Sequence, residues 1–237
     1  DAALPGEDTH LNDKVSQADK QKGIECRAIP RDLYDQGYRH IGDIDHYKGF
    51  IFAPLEYKEH KKPAKIAMFR ASDLTLCQSI SLAENRDNHH AGWCAVNPKD
   101  NCLYTSDYDD VTCLSVYKIE ISNKGEIVGL SFLKSIPLLD GKGQKMQVNA
   151  IQGGAFSPHS GLLYLSSHSG PVMGGIYVFD TETCKLNTHI QVDYAPSFPY
   201  KEEIEGLTVW DVKSSPEKSK KKKKKITGQL HLFMVDL

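Results

Sequence analysis

An all-β fold of repeated four-stranded units is what this sequence predicts, and three observations carry the prediction. The segment "AVNPKDNCLYTSD" (Ala95 to Asp107) overlays "AFSPHSGLLYLSS" (Ala155 to Ser167) without a gap. Ala95 and Ala155, Pro98 and Pro158, Leu103 and Leu163, Tyr104 and Tyr164, and Ser106 and Ser166 are each 60 residues apart, and Tyr117 and Tyr177 extend the same register. The runs between these landmarks are β-branched and aromatic, and Gly, Pro, Asn, Asp and Ser bound them, which is strand-and-hairpin chemistry. A chain of 237 residues, 40% hydrophobic and 25% charged, has the apolar mass for one large closed β domain.

In chain order, a first unit runs from "GDIDHYKGFIFAPLE" (Gly42 to Glu56), with Lys48-Gly49 as its turn, into "KIAMFRASDLTLCQSISL" (Lys65 to Leu82). The second and third units are the two segments in register. Each reads as a short apolar strand, a Pro-containing turn, a second strand, a loop and a third strand, "SVYKIEI" or "IYVFD". Cys77 and Cys184 each open an outer strand. A fourth unit begins at "EGLTVWD" (Glu205 to Asp211), and its partner strand "GQLHLFMVD" (Gly228 to Asp236) follows an exposed lysine-rich insertion at 213–226. Four-stranded units at this spacing are the pattern of β-propeller blades. Five blades are expected, with four or six as alternatives, and the N-terminal segment 1–37 is expected to supply closing strand material around Ile24 to Ile29. A β-sandwich is the alternative fold, although it has no need of the 60-residue register.

The fragment "GGIYVFDTETCKL" resembles the strand-turn-strand of YVTN-type and WD-like propellers, in which a Gly commonly stands where this chain has Cys184. "EGLTVW" is similar to the Glu-Gly-x-x-Trp segment of the gluconolactonase-like calcium propellers. That resemblance implies that Glu205 is a metal ligand.

A formal charge of -2 gives the whole molecule no field that would recruit nucleic acid or an anionic membrane. The apolar runs are strand-sized, far short of the ~20 residues that cross a bilayer. Motifs for a nucleophile elbow, a zincin helix, a phosphate-cradling loop and a dinucleotide fold are all absent from the sequence. The six cysteines (26, 77, 94, 102, 113 and 184) contain no C-x-x-C pair, which excludes a zinc ribbon or thioredoxin motif. Either a few disulfides or six thiols satisfy that count. The start "DAALPGEDTH" lacks Met and fits a processed chain, so a secreted or extracytoplasmic location is expected. If the acidic loop "SDYDDVT" is centred between Asp107 and Tyr108, Cys102 and Cys113 face each other across a strand pair, and a bridge between them is expected.

In a propeller the innermost strands line a channel, so the residues just before them gather at its mouth. Aligning "HIGDID", "HHAGWCAV", "NAIQGGAF" and "EEIEGLTV" collects His40, Asp43, His89, His90, Asn149, Gln152, Glu203 and Glu205, with Gly42, Gly92, Gly153 and Gly206 beside them. Carboxylate, amide and imidazole groups converging in this way suit a polar ligand, and Asp43, Asn149 and Glu205 offer the oxygens that a calcium ion takes. The expected function is a non-catalytic binding or scaffold module that holds a partner protein or a small polar ligand at this mouth. The alternative is a calcium-dependent hydrolase of lactone or phosphate esters with a mouth histidine as general base. Lys218 and Lys220 to Lys225 repel one another and stay solvated, and an acidic partner is what they would grip. No aromatics interleave them, so they do not form a base-stacking surface.

Overall fold

The structure is a computed structural model that describes residues 27–82, 90–124, 126–169, 173–192, 202–212 and 227–236. Four antiparallel sheets follow one another along the chain. In the first, β1 (Tyr38–Ile41) and β2 (Asp45–Tyr47) both pair with β3 (Phe50–Tyr57), and β4 (Lys65–Arg70) and β5 (Leu76–Ser81) complete it. The second holds β6 (Ala95–Asn97), β7 (Cys102–Thr105), β8 (Cys113–Ile121) and β9 (Ile127–Pro137), in that order. The third holds β10 (Ile151–Phe156), β11 (Leu163–Ser167), β12 (Gly175–Asp180) and β13 (Lys185–Ile190). The fourth pairs β14 (Glu202–Val212) with β15 (Thr227–Asp236), Val212 lying opposite Thr227 on either side of the lysine-rich insertion. That insertion, with Lys218 and Lys220 to Lys225, lies outside the described residues.

Local chemistry explains the turns. Lys48 and Gly49 both have positive φ, 47° and 82°, the requirement of a two-residue hairpin that follows the strand twist. The turns into β5 and β13 use one device: Asp73 Oδ1 accepts the Thr75 N–H and Asp180 Oδ1 accepts the Glu182 N–H, at 2.9 Å each. In the second of these turns Cys184 sits at φ 61°, so the residue that replaces the glycine of the resembling propellers does occupy the left-handed region.

The sheets stack face to face, each junction with its own apolar core. Phe52, Ile66 and Met68 of the first sheet pack on Val96, Leu103 and Tyr117 of the second. Trp93, Tyr104 and Val116 of the second pack on Phe156, Leu165 and Phe179 of the third. Ala155, Ile176 and Val178 of the third meet Ile204 and Leu207 of the fourth. A middle strand such as β7 is therefore buried at all four positions, and each large side chain shielded in this way contributes roughly 1.5–3 kcal/mol. Four-stranded antiparallel sheets stacked in chain order, with their first strands together, form a propeller-like fold. Among the described residues no helix is long and apolar enough to cross a membrane.

Two expectations are corrected. The repeat holds for Ala95 opposite Tyr104 and Ala155 opposite Tyr164, but Leu103 faces Tyr117 while Leu163 faces Phe179. The structural equivalent of Tyr117 is Phe179, 62 residues on, because the third-sheet hairpin holds two more residues between these pairs: β11 and β12 stay paired as far as Ser167 and Gly175. A slip of two keeps the side chains on the same face, so the pattern survives it. The expected Cys102–Cys113 bridge fails for a related reason: Cys102 faces Lys118, and neither cysteine is in a disulfide. Residues 27–37 hold α1 (Arg31–Asp35), which lays Leu33 with Tyr38, Leu55 and Ala67 over the outer face of the first sheet. The rest of the expected closing segment, 1–26, lies outside the described residues.

Gly154 lies flat against the Trp93 ring, where an added Cβ would overlap the indole carbons. Gly154→Ala is expected to cost about 1–3 kcal/mol, with a lower Tm and altered tryptophan fluorescence; an unchanged Tm would contradict this packing. Alkylation in denaturant without reductant should modify both Cys102 and Cys113.

Candidate functional site

The first strands of the sheets meet at a break in the chain, Gly42 to Ile44, between β1 and β2. Asp43 pairs in parallel with Trp93: its N–H donates to the Gly92 carbonyl at 2.8 Å, and the Cys94 N–H donates back to the Asp43 carbonyl at 3.1 Å. Its carboxylate accepts the N–H of Gly154 at 3.0 Å and the N–H of Leu207 at 3.3 Å. One residue of the first sheet thus bonds to the other three. The neighbouring glycines serve this contact. A Cβ on Gly206 would stand 2.8 Å from Asp43 Oδ1, and one on Gly153 would run into the Glu205 carbonyl. Glycine here lets backbone approach backbone and carboxylate, whereas the sequence suggested approach to a ligand.

Burial pushes the Asp43 carboxyl up to about 7, the N–H groups of Gly154 and Leu207 opposing it only in part, with the nearby Asp45 charge adding to the rise. Asp45 is itself pushed up by burial and held by the N–H groups of Val96 and His46, each at 2.7 Å.

A cavity of about 770 Å³ opens at this break. It is lined by His40, Ile41, Asp43, Ile44, Glu56 and Lys58 of the first sheet and its following turn, His90 and Tyr108 of the second, Gln152 of the third and Glu205 of the fourth, among others. Five of the expected mouth residues, His40, Asp43, His90, Gln152 and Glu205, therefore share one cavity. Ile41 and Ile44 on its lining are 43% and 50% exposed, so the polar mouth carries apolar groups.

The sequence analysis missed Glu56. Its side chain is 4% exposed, and Oε2 lies 2.8 Å from His40 Nδ1 while Oε1 lies 3.7 Å from His90 Nδ1. The bond to Glu56 raises the His40 pKa above its ordinary value against the effect of burial, and the Glu56 and Glu205 charges add to the rise. His90 also stacks at a tilt on Tyr108, ring centroids 5.3 Å apart. A lone acid in the apolar run "GFIFAPLEY" was the available signal: a carboxylate in a buried strand requires partners.

Asn149 does not join the cavity. Its Oδ1 accepts the Asp110 N–H at 2.8 Å and Gln147 Nε2 at 3.0 Å, while Asp109 Oδ1 accepts the Ala150 N–H, so the acidic loop is fastened to the start of β10. Of the expected calcium set, Asp43 and Glu205 line the cavity, with Asp43 Oδ2 accepting two backbone N–H groups, while Asn149 is bonded at the acidic loop. Among the described residues no three His, Cys, Asp or Glu side chains form a group that holds a metal ion. His89 and the side chain of Glu203 lie outside the described residues. Trp93 and Cys94, which share a reactive-looking stretch with His90, are core: Trp93 Nε1 donates to Ser106 Oγ at 2.9 Å, and burial pushes the Cys94 thiol well up.

No known protein family matches the chain, and no curated protein matches it. Among solved structures it is similar to the propeller of Dos1, at 12% identity and a TM-score of 0.42, over 73% of this chain. This chain spans 40% of the length of that one.

Because the Asp43 pKa is raised on folding, native protein holds its proton more tightly than unfolded chain. The associated stability is fully present below about pH 4 and is lost as pH rises through about 7. The stability of wild type relative to Asp43→Asn should therefore fall by about 2–3 kcal/mol between pH 5 and pH 8 in urea titrations. A constant difference would show that Asp43 does not titrate in this window.

Proposed function

We propose that the chain is a propeller-type binding module whose mouth cavity holds a polar ligand, free or presented by a partner protein. The observation that carries this reading is the single cavity of about 770 Å³ to which all four sheets contribute side chains. Ligand sites are concave, run to roughly 300–1,000 Å³, and combine apolar walls with a few polar groups that fix orientation. Ile41, Ile44 and Tyr108 supply the first kind of lining, and Gln152, His90, His40 and Glu205 the second. Closure into five blades, kinship with the YVTN and WD types, and an acidic partner for Lys218 to Lys225 belong to the same proposal.

The test is a thermal-shift screen of the full chain against small amines, dicarboxylates, polyols and calcium chloride, run in parallel on Gln152→Ala and His90→Ala. The reading expects at least one class to raise the Tm of wild type and to lose most of that shift in the variants. A chelator-reversible shift with calcium that disappears in Glu205→Gln would point to the ion-dependent alternative. Shifts that persist unchanged in all three variants would move the site away from this cavity.

A further inference from the structure

The His40 ring is 70% exposed at the cavity while the carboxylate it bonds is buried, and this asymmetry determines its hydrogen-bonding role. An ionised carboxylate only accepts hydrogen bonds, so the nitrogen 2.8 Å from Glu56 Oε2 carries a proton: the neutral ring is the Nδ1–H tautomer. Its other nitrogen, Nε2, is then a lone-pair acceptor on the exposed part of the ring. The electrostatic surroundings favour a cation opposite that lone pair. Glu205 from β14 acts on the same imidazole, and both line the cavity. Of the cationic groups lining the cavity, the Arg39 guanidinium is drawn off over the Tyr34 ring, 4.4 Å from its centroid, and Lys58 is exposed.

We propose that Glu56 is a positioning residue that presents His40 Nε2 as an acceptor, and that His40 and Glu205 together receive a protonated primary amine, such as a lysine side chain or a free alkylamine. This rests on the binding reading above and names its ligand class. The neutral imidazole takes one ammonium hydrogen, the Glu205 carboxylate supplies the counter-charge, and the apolar Ile41 and Ile44 lie along the alkyl chain. Protonation of His40 turns Nε2 into a donor and places a second positive charge against the ammonium, so the site releases amines as pH falls. The other groups that face the site are Asp43, just after β1, His90 of the second sheet, which lies beside Glu56, and Glu205 of the fourth.

Nitrogen-15 NMR of the full chain tests both parts, with 1,5-diaminopentane, 1,5-pentanediol and glutarate as probes. Free His40 is expected as the Nδ1–H tautomer at pH 8 with a pKa that falls in Glu56→Gln. The diamine should shift the His40 resonances at pH 8, bind about tenfold more weakly to Glu205→Gln, and lose its effect by pH 5. An Nε2–H tautomer in wild type overturns the positioning role without any variant having to fold. Shifts with glutarate or the diol but not with the diamine overturn the amine assignment and leave the mouth as a binding site. Silence from all three probes at the mouth overturns both.

Discussion

The architecture depends on a carboxylate placed where the sheets converge. Asp43 sits in a gap in the innermost strand of the first sheet, and its main chain and side chain between them bond to the second, third and fourth sheets. The partners are 111 and 164 residues away for the two side-chain bonds, so loop-closure entropy is large and the contact belongs to the assembled fold alone. Few side chains suit the place. One short-chain carboxylate oxygen, Oδ2, accepts N–H groups from two sheets at once, which an aliphatic side chain cannot do. The cost is desolvation, and the raised pKa records it.

Around this axis the stability is spread over three apolar junctions, one between each pair of neighbouring sheets. Sheets that are covered on both faces bury their middle strands on both sides, which is why β7 is buried at every position and β12 at all but its last. The buried hydroxyls are placed with care. Thr105, Ser106, Ser166 and Ser167 are fully or almost fully buried, and their hydroxyls bond to the Trp93, Asp107, Glu205 and Asn149 carbonyls. These small hydroxyls satisfy carbonyls at the ends of inner strands, which have no neighbour strand there.

The cavity sits at the same break, so the groups that hold the fold and those that face a ligand are neighbours. Asp43 serves structure with Oδ2 committed to two backbone N–H groups, whereas His40 faces the mouth with Nδ1 committed to Glu56. Glu56 links the two by fixing the ring from beneath. A buried carboxylate bracketed by two imidazoles is costly to desolvate unless paired, so Glu56 also accounts for the presence of histidines at this end of the first and second sheets.

The sequence by itself determined the all-β class, the order of the strands, the turns at Lys48-Gly49 and after Asp180, and the convergence of His40, Asp43, His90, Gln152 and Glu205. All of these follow from local periodicity and from a repeat whose copies fold alike. It did not determine register where the hairpins differ by two residues: the sequence repeat aligns Tyr117 with Tyr177 where the sheets align it with Phe179, and the loop centre sets Cys102 opposite Cys113 where the strands set it opposite Lys118. Only the tertiary structure decided which polar groups face one another. Asn149 and Asp43 look alike as oxygen donors in the sequence, yet folding ties Asn149 Oδ1 to the acidic loop and Asp43 Oδ2 to N–H groups of two other sheets. Glu56 looks like an ordinary strand residue until folding buries its carboxylate between two imidazoles. A residue type states what bonds it can make, and the packing of distant sheets decides which of them it does make.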